Sequence, residues 1–358
     1  MSEPLRAWDA ETFRASVQSA LLTFVGDQQA ALQPLGEDAQ RLVDAARESV
    51  LGGKRLRAAF CYWGFRSVSA EVTDEPALLR AAAALELLHA SALVHDDYMD
   101  SSDTRRGRPA THKAFEALHR RAGWTGSPEQ YGASAAILLG DLLLSWSDEL
   151  LRECGLPGPA VRQALAFFDT TRREVITGQF LDVSVQARGE SGVDQAMRVL
   201  RYKSAKYSVE RPLHVGAALA GADRATLEAL TGYGLPLGEA FQLRDDLLGV
   251  YGDPAVTGKP AGDDLTEGKR TVLVALALGR APAREAKRLD SALGTALTGE
   301  EVEELRGIIE ASGAHPEVER RIAELTATSL AALEEAPVTE LARGVLRELA
   351  AAATQRVI

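Results

Sequence analysis

Asp96-Asp97-Tyr98-Met99-Asp100, with Arg105-Arg106-Gly107 just after it, is the stretch of this chain whose residue types and spacing could do chemistry. On a continuous helix Asp96 and Asp100 stand one turn apart on one face, roughly 5.4 Å along the axis. Two carboxylates so placed repel unless a cation lies between them. Hard divalent cations such as Mg²⁺ take oxygen ligands, keep several waters and bridge carboxylates to phosphate oxygens. The nearby arginines suit the same phosphates, because guanidinium pairs with them bidentately. Ser91-Ala92-Leu93-Val94-His95 before the cluster are apolar or small, so these carboxylates close a helix that should be buried and need a partner there. A second acidic pair, Asp245-Asp246, ends another apolar helical run further along. Two such ends could hold Mg²⁺ on one diphosphate, with Asp96, Asp100 and Asp245 as direct ligands. Asp97 and Asp246 point roughly 100° away and read as outer, water-mediated ligands.

The elements that must position these groups are helices. Leu78, Ala82, Leu85 and Leu88 recur at three and four residues and lead into Ala92 and Asp96. Similar stretches cover 11–32, 37–50, 54–70, 133–153, 160–186, 194–220, 223–250, 269–281, 299–312, 316–335 and 338–356, with prolines between them. Pro212 and Pro236 fall inside helical patterns and should kink or split them. There is no fixed-period repeat and no linker of Gly and Ser. The expectation is one all-α domain over 1–358, a large helical bundle around a central substrate cavity. Its motif-bearing core spans roughly 50–275, and solvated C-terminal helices over 283–358 pack around it.

Acidic residues outnumber basic ones, 51 to 40, for a formal charge of -11. That excludes nucleic acid as a partner, which needs a positive field, but not a small anion met by a local cluster. Cys61 and Cys154 lack metal-ligand spacing and suit a reducing compartment. Met1-Ser2-Glu3-Pro4 has no signal-peptide pattern, and no uninterrupted apolar run reaches the ~18 residues of a membrane span. A cytoplasmic chain without a transmembrane segment is expected.

Ala92-Leu93-Val94-His95-Asp96-Asp97-Tyr98-Met99-Asp100 followed by Arg105-Arg106-Gly107-Arg108-Pro109 resembles the first aspartate-rich motif of the trans-isoprenyl diphosphate synthases, or polyprenyl synthetases. Phe241-Gln242-Leu243-Arg244-Asp245-Asp246-Leu247-Leu248-Gly249 is similar to the second. Gly52-Gly53-Lys54-Arg55-Leu56-Arg57, Gly178-Gln179-Phe180-Leu181-Asp182, Lys203-Ser204, Gly258-Lys259 and Gly268-Lys269-Arg270-Thr271 match further family elements in the family's order. The resemblance implies a Mg²⁺-dependent transferase that condenses isopentenyl diphosphate with an allylic diphosphate, and a homodimer. It implies that Arg105, Lys203, Lys259 and Lys269 grip the allylic diphosphate, with Gln179 and Gln242 in the same pocket. Lys54, Arg57, His89 and Arg106 would hold isopentenyl diphosphate without metal. His119 and His214 are left structural.

In this family bulky residues four or five places before the first aspartate stop elongation early. Here those places hold the small Ser91 and Ala92, which sets the tunnel floor deeper, near Leu88, and favours geranylgeranyl diphosphate over farnesyl. Longer products are the alternative. Gly249 stands where the second motif normally has a third aspartate, so Asp245 lacks its same-face partner. A class I terpene cyclase would share the first motif but have no use for a second diphosphate site. A non-catalytic partner subunit would be free to lose the aspartates that this chain keeps.

Overall fold

The computed structural model describes residues 8–252 and 262–355. In chain order the helices are α1 (Ala10–Leu32), α2 (Glu37–Ser49), α3 (Leu56–Val68), α4 (Glu75–Met99), α5 (Thr111–Ala122), α6 (Pro128–Arg152), α7 (Gly158–Arg188) and α8 (Val193–Val199). A π-helix, Leu200–Glu210, leads into α9 (Arg211–Leu219) and α10 (Arg224–Tyr251). Then come α11 (Asp263–Thr266), α12 (Val272–Arg280), α13 (Ala283–Ala292), α14 (Gly299–Ala311), α15 (Ala314–Glu335) and α16 (Glu340–Thr354). Among the described residues the only sheet is a hairpin pairing Thr104–Arg105 with Arg108–Pro109. The expected all-α class is what the chain adopts.

Polar caps fix where the helices begin. Asp74 accepts the Ala77 amide at 2.9 Å to start α4, and Ser127 accepts that of Gln130 at 3.1 Å to start α6. Asp223 takes the Thr226 amide at 2.8 Å ahead of α10. That helix runs unbroken through Pro236, so the proline does not split it. Pro212 does mark a boundary, because the stretch expected as one helix over 194–220 divides into α8, the π-helix and α9. Helix α5, the short helix α11 and the hairpin were not anticipated.

The chain folds into two compact units. The first comprises residues 1–166, 215–222 and 339–345; the second comprises 167–214, 223–338 and 346–358. At the centre of the first, α4 packs against α1, α3, α5 and α6. Every residue from 81 to 88 is buried, the single charge among them being Glu86. Helix α4 has the length and apolar composition of a membrane span, yet 72% of that window is buried inside the protein. Its neighbours come close by means of glycines. A Cβ on Gly132 of α6 would run into the His112 carbonyl of α5.

In the second unit α10 packs against the π-helix, α11, α12 and α15. The C-terminal helices are more than a solvated layer. Leu289, Leu305, Ile309, Ala314 and Val318 are fully buried in one core with Leu243, Leu247 and Leu273. Alanine-rich and glutamate-rich sequence hid a regular apolar stripe there.

His214 lies in this unit and is structural, as expected. Its Nδ1 accepts from Arg211 Nη1 at 3.2 Å, and Nε2 is 3.2 Å from the Leu227 carbonyl oxygen, to which it donates. Burial, aided by the Arg211 charge, pushes its pKa down to about 4. A base whose folded pKa is depressed contributes stability that is present above its unfolded value near 6.5 and lost as pH falls toward 4. The unfolding free energy from urea titrations is expected to fall from pH 7 to pH 4 by about 3 kcal/mol more in the wild type than in His214→Gln.

Candidate active site

In the first unit α4 carries Asp96 and Asp97 on its last turn and ends at Asp100, whose amide bonds the Asp96 carbonyl at 2.8 Å. The two carboxylates of the spacing argument therefore share one helix end, with Asp96 half-buried and Asp100 likewise. Asp97 is buried and its carboxylate faces Arg105, whose Nε lies 2.8 Å from Oδ1 and 3.1 Å from Oδ2. Arg105 Nη2 also binds Asp97 and sits 3.9 Å from Asp96 Oδ2. Asp97 thus aims an arginine, which agrees with an outer role for it.

The hairpin after α4 turns at Arg106 and Gly107, both with positive φ, 52° and 72°. A two-residue turn of that hand matches strand twist, and it is glycine at the second position that makes it cheap. The turn sends Arg106 back to the Gly52-Gly53 loop. Its Nη1 donates to the Leu51 carbonyl at 2.7 Å, and its guanidinium packs on Gly53. Lys54 is exposed and Arg57 half-buried on either side of the buried Arg55. The pKa of His89 is held well below the ordinary imidazole value by burial and then by Arg57, Arg106, Arg105 and Arg55. Arg57 and Arg106, two of the residues expected on isopentenyl diphosphate, are thus among the charges that act on His89. A pocket of arginines without a buried cationic histidine suits a diphosphate.

Sequence reasoning missed what holds this loop. Arg55 Nη1 donates to Glu86 Oε2 at 3.2 Å, Nη2 donates to Gln18 Oε1 at 2.6 Å, and Glu86 Oε1 accepts the Ala58 amide at 3.1 Å. The signal was available in Glu86, a lone charge inside an Ala- and Leu-rich helix. Ser91, expected to line the tunnel, is buried, and its hydroxyl donates to the Gly140 carbonyl of α6 at 2.7 Å. A hydroxyl in an apolar seam needs such a partner. Ala92 is half-buried and Leu88 buried.

In the second unit Lys203 opens the π-helix and its Nζ binds Asp182 Oδ2 of α7 at 2.6 Å. Glycines let that helix approach closely on two sides. A Cβ on Gly178 would enter the Lys203 backbone, and one on Gly238 would enter the Ala205 carbonyl. π-Helical turns are uncommon and concentrate at functional sites. Gln179, half-buried on α7, precedes Asp182 by three residues. Asp245 is exposed, whereas Asp246 is buried and accepts from Gln242 Nε2 at 2.8 Å. Burial drives the Asp246 carboxyl up to about 8, with Asp264 and Asp245 adding to the rise. Gln242, expected on the diphosphate, donates through its side-chain amide to Asp246. Lys259 lies outside the described residues.

The departure at Gly249 has a structural answer. Asp264 of α11 fills the space, its carboxylate occupying the position that a Cβ on residue 249 would take. Lys269 Nζ binds Asp264 Oδ1 at 3.2 Å and Glu267 Oε2 at 2.5 Å. Restoring the usual aspartate with Gly249→Asp is therefore expected to reduce activity, by displacing Asp264 and Lys269. About a tenfold rise in the Mg²⁺ half-saturation would register it.

Hard carboxylate oxygens suit Mg²⁺; Asp96 and Asp100 stand at the end of α4, whereas Asp245 and Asp246, expected to end a helical run, lie inside α10, which continues to Tyr251. Among the described residues no three His, Cys, Asp or Glu side chains gather into a ligand group of their own.

Residues 39–311 match the polyprenyl synthetase family model. The chain belongs to the polyprenyl synthetase family. Among solved structures of such enzymes, the geranylgeranyl pyrophosphate synthase of Corynebacterium glutamicum, complexed with isoprenyl diphosphate and magnesium, is 41% identical. It superposes with a TM-score of 0.95 over 98% of this chain and 100% of its own. A geranylfarnesyl diphosphate synthase of Natronomonas pharaonis is 35% identical over 65% of this chain and 68% of its own. A (2E,6E)-farnesyl diphosphate synthase of Mycobacterium tuberculosis is 36% identical over 62% of this chain, an alignment spanning 56% of that enzyme. Polyprenyl synthetases of different product length thus resemble this one about equally in sequence.

Proposed function

We propose that the chain is a Mg²⁺-dependent prenyltransferase that joins isopentenyl diphosphate to an allylic diphosphate, head to tail, with geranylgeranyl diphosphate as product. The observation that carries this reading is the pairing of the three allylic-diphosphate cations among the described residues with carboxylates of low exposure. Arg105 is set by Asp97, Lys203 by Asp182 and Lys269 by Asp264. Flexible cations held this way are oriented before the anion arrives, which is what stabilising a leaving diphosphate requires. Asp96, Asp100 and Asp245 are the proposed Mg²⁺ ligands, and Mg²⁺ supplies charge neutralisation as the allylic diphosphate departs.

Lys54, Arg57, His89 and Arg106 would bind isopentenyl diphosphate by charge and hydrogen bonds alone. Its double bond attacks the allylic cation to form the 1'-4 bond, and the released diphosphate takes the proton. The apolar wall below the aspartates, starting at Ala92 and Leu88, excludes water that would quench the cation. We read the chain as one catalytic domain, since the family match runs across both compact units. A second copy of the chain is the proposed partner, received by α6, where Ile137 is 44% and Leu138 58% exposed. The proposed compartment is the cytoplasm.

The test is product length from isopentenyl and farnesyl diphosphates with Mg²⁺. A single geranylgeraniol after dephosphorylation is expected. A ladder of longer alcohols would move the tunnel floor below Leu88. No elongation, with Asp96→Ala behaving as the wild type, would reject a synthase.

A further inference from the structure

Helices α4 and α6 pack side by side, and one of their contacts is centred on Gly140. The Gly140 carbonyl of α6 accepts the Ser91 hydroxyl at 2.7 Å. One turn on, the His95 imidazole lies over the Gly140 Cα, where a Cβ would overlap Nε2, Cδ2 and Cε1 of the ring. His95 Nε2 is 3.2 Å from the Ile137 carbonyl oxygen and donates to it in the Nε2-protonated form. Asp141 Oδ1 is 3.6 Å from the same nitrogen. Ser91 and His95 thus define the stripe of α4 that faces α6, and the next residue is Asp96.

A glycine in the middle of a 25-residue helix is costly and calls for a reason. Gly26, Gly279, Gly307 and Gly344 also sit in helices, and no heavy atom approaches where their Cβ would be. Gly140 differs, because its missing side chain is the seat of a ring. The last turn of α4, moreover, has reason to move. Its Asp96, Asp97 and Tyr98 carbonyls accept from Asp100, Ser102 and Ser101, yet the Asp96 and Asp100 carboxylates repel each other across the turn. A ligand set works only when its carboxylates are held to within roughly half an ångström. A lock one residue upstream of the first ligand meets that need.

We propose that His95, seated on Gly140, is a positioning residue that sets the rotation of the last turn of α4 and so the aim of Asp96 and Asp100. It touches neither metal nor substrate. The inference rests on the proposed function in taking those carboxylates as Mg²⁺ ligands. Ser91 supports the same seam through its hydrogen bond to the Gly140 carbonyl.

A double-mutant cycle tests the lock. His95→Ala, Gly140→Ala and the double variant are compared with the wild type by the rise in melting temperature on titrating Mg²⁺ with inorganic diphosphate. This reads binding without turnover; steady-state kinetics run beside it. Each single change is expected to raise the Mg²⁺ half-saturation about tenfold, in the range of losses seen when the groups orienting a metal ligand are removed. The KM for isopentenyl diphosphate should stay unchanged, since that site takes no metal. The double variant should be no worse than the poorer single one, because Gly140→Ala acts only through the ring. His95→Gln, which can still donate to the Ile137 carbonyl, should recover most of the loss.

Additive losses, or lower melting temperatures with unchanged Mg²⁺ dependence, would make the seam ordinary packing and overturn the proposal. Should Gly140→Ala fail to fold, His95→Ala and His95→Gln decide it, since neither adds bulk. A wild type that shows no Mg²⁺-dependent shift with diphosphate would instead bring down the functional reading itself.

Discussion

Asp96→Asn is expected to lower kcat about a thousandfold and to raise the Mg²⁺ half-saturation, with metal-independent binding of isopentenyl diphosphate untouched. The substitution removes one negative charge and almost no volume, so the fold has no reason to change. Asp96 keeps 19% of its side chain exposed at the end of α4, where a carboxylate can reach an ion without the helix unwinding. Arg105, 3.9 Å from Asp96 Oδ2, is oriented chiefly by Asp97. Asp97→Asn should behave differently. It loosens Arg105, and the expected loss appears in the KM for the allylic diphosphate more than in the Mg²⁺ dependence. Asp103→Asn, on the exposed hairpin, is the control and should be silent. Kinetics of Asp96→Asn within tenfold of the wild type would remove it from the ligand set.

The acidic motifs were legible because their chemistry is local. A helix period places Asp96 and Asp100 on one face wherever the helix packs, and α4 does end where they stand. The long buried helices were legible for the same reason. What escaped is what depends on a partner distant in sequence. Nothing within Leu200–Glu210 announces a π-helix; the close passage of Gly178 and Gly238 accompanies it, from two other helices. Gly249 read as a lost carboxylate until Asp264, fifteen positions on, was found filling its place. The Ser91 hydroxyl has no visible partner until α6 is laid beside it. Helix α5 was missed because Thr111–Ala122 buries only His112, Phe115 and His119, too few for a convincing stripe. Arg55 and Glu86 escaped as well, and they carry the largest stability prediction.

Glu86→Ala is expected to destabilise the protein by about 3–5 kcal/mol and lower its melting temperature by roughly 10 °C. The side chains of Arg55 and Glu86 are 5% and 4% exposed. Removing the carboxylate leaves a buried guanidinium with only the Gln18 side chain and the Val50 carbonyl as acceptors, and strands the Ala58 amide at the start of α3. Arg55 also sits at φ 54°, a conformation that a non-glycine residue keeps only when its surroundings hold it there. Its neighbours in sequence are Lys54 and, two on, Arg57. The KM for isopentenyl diphosphate should therefore rise alongside the loss of stability, while the Mg²⁺ dependence stays put. Paired replacement separates the two effects. Arg55→Met with Glu86→Leu removes both charges, and buried pairs exchanged for apolar side chains are often neutral in stability. That double variant should regain much of the melting temperature without regaining the KM, because the loop has lost its tether to α4. If Glu86→Ala melts within about 2 °C of the wild type, the pair is not holding the loop. If the double variant restores the KM as well, Lys54 and Arg57 are positioned by something other than Arg55.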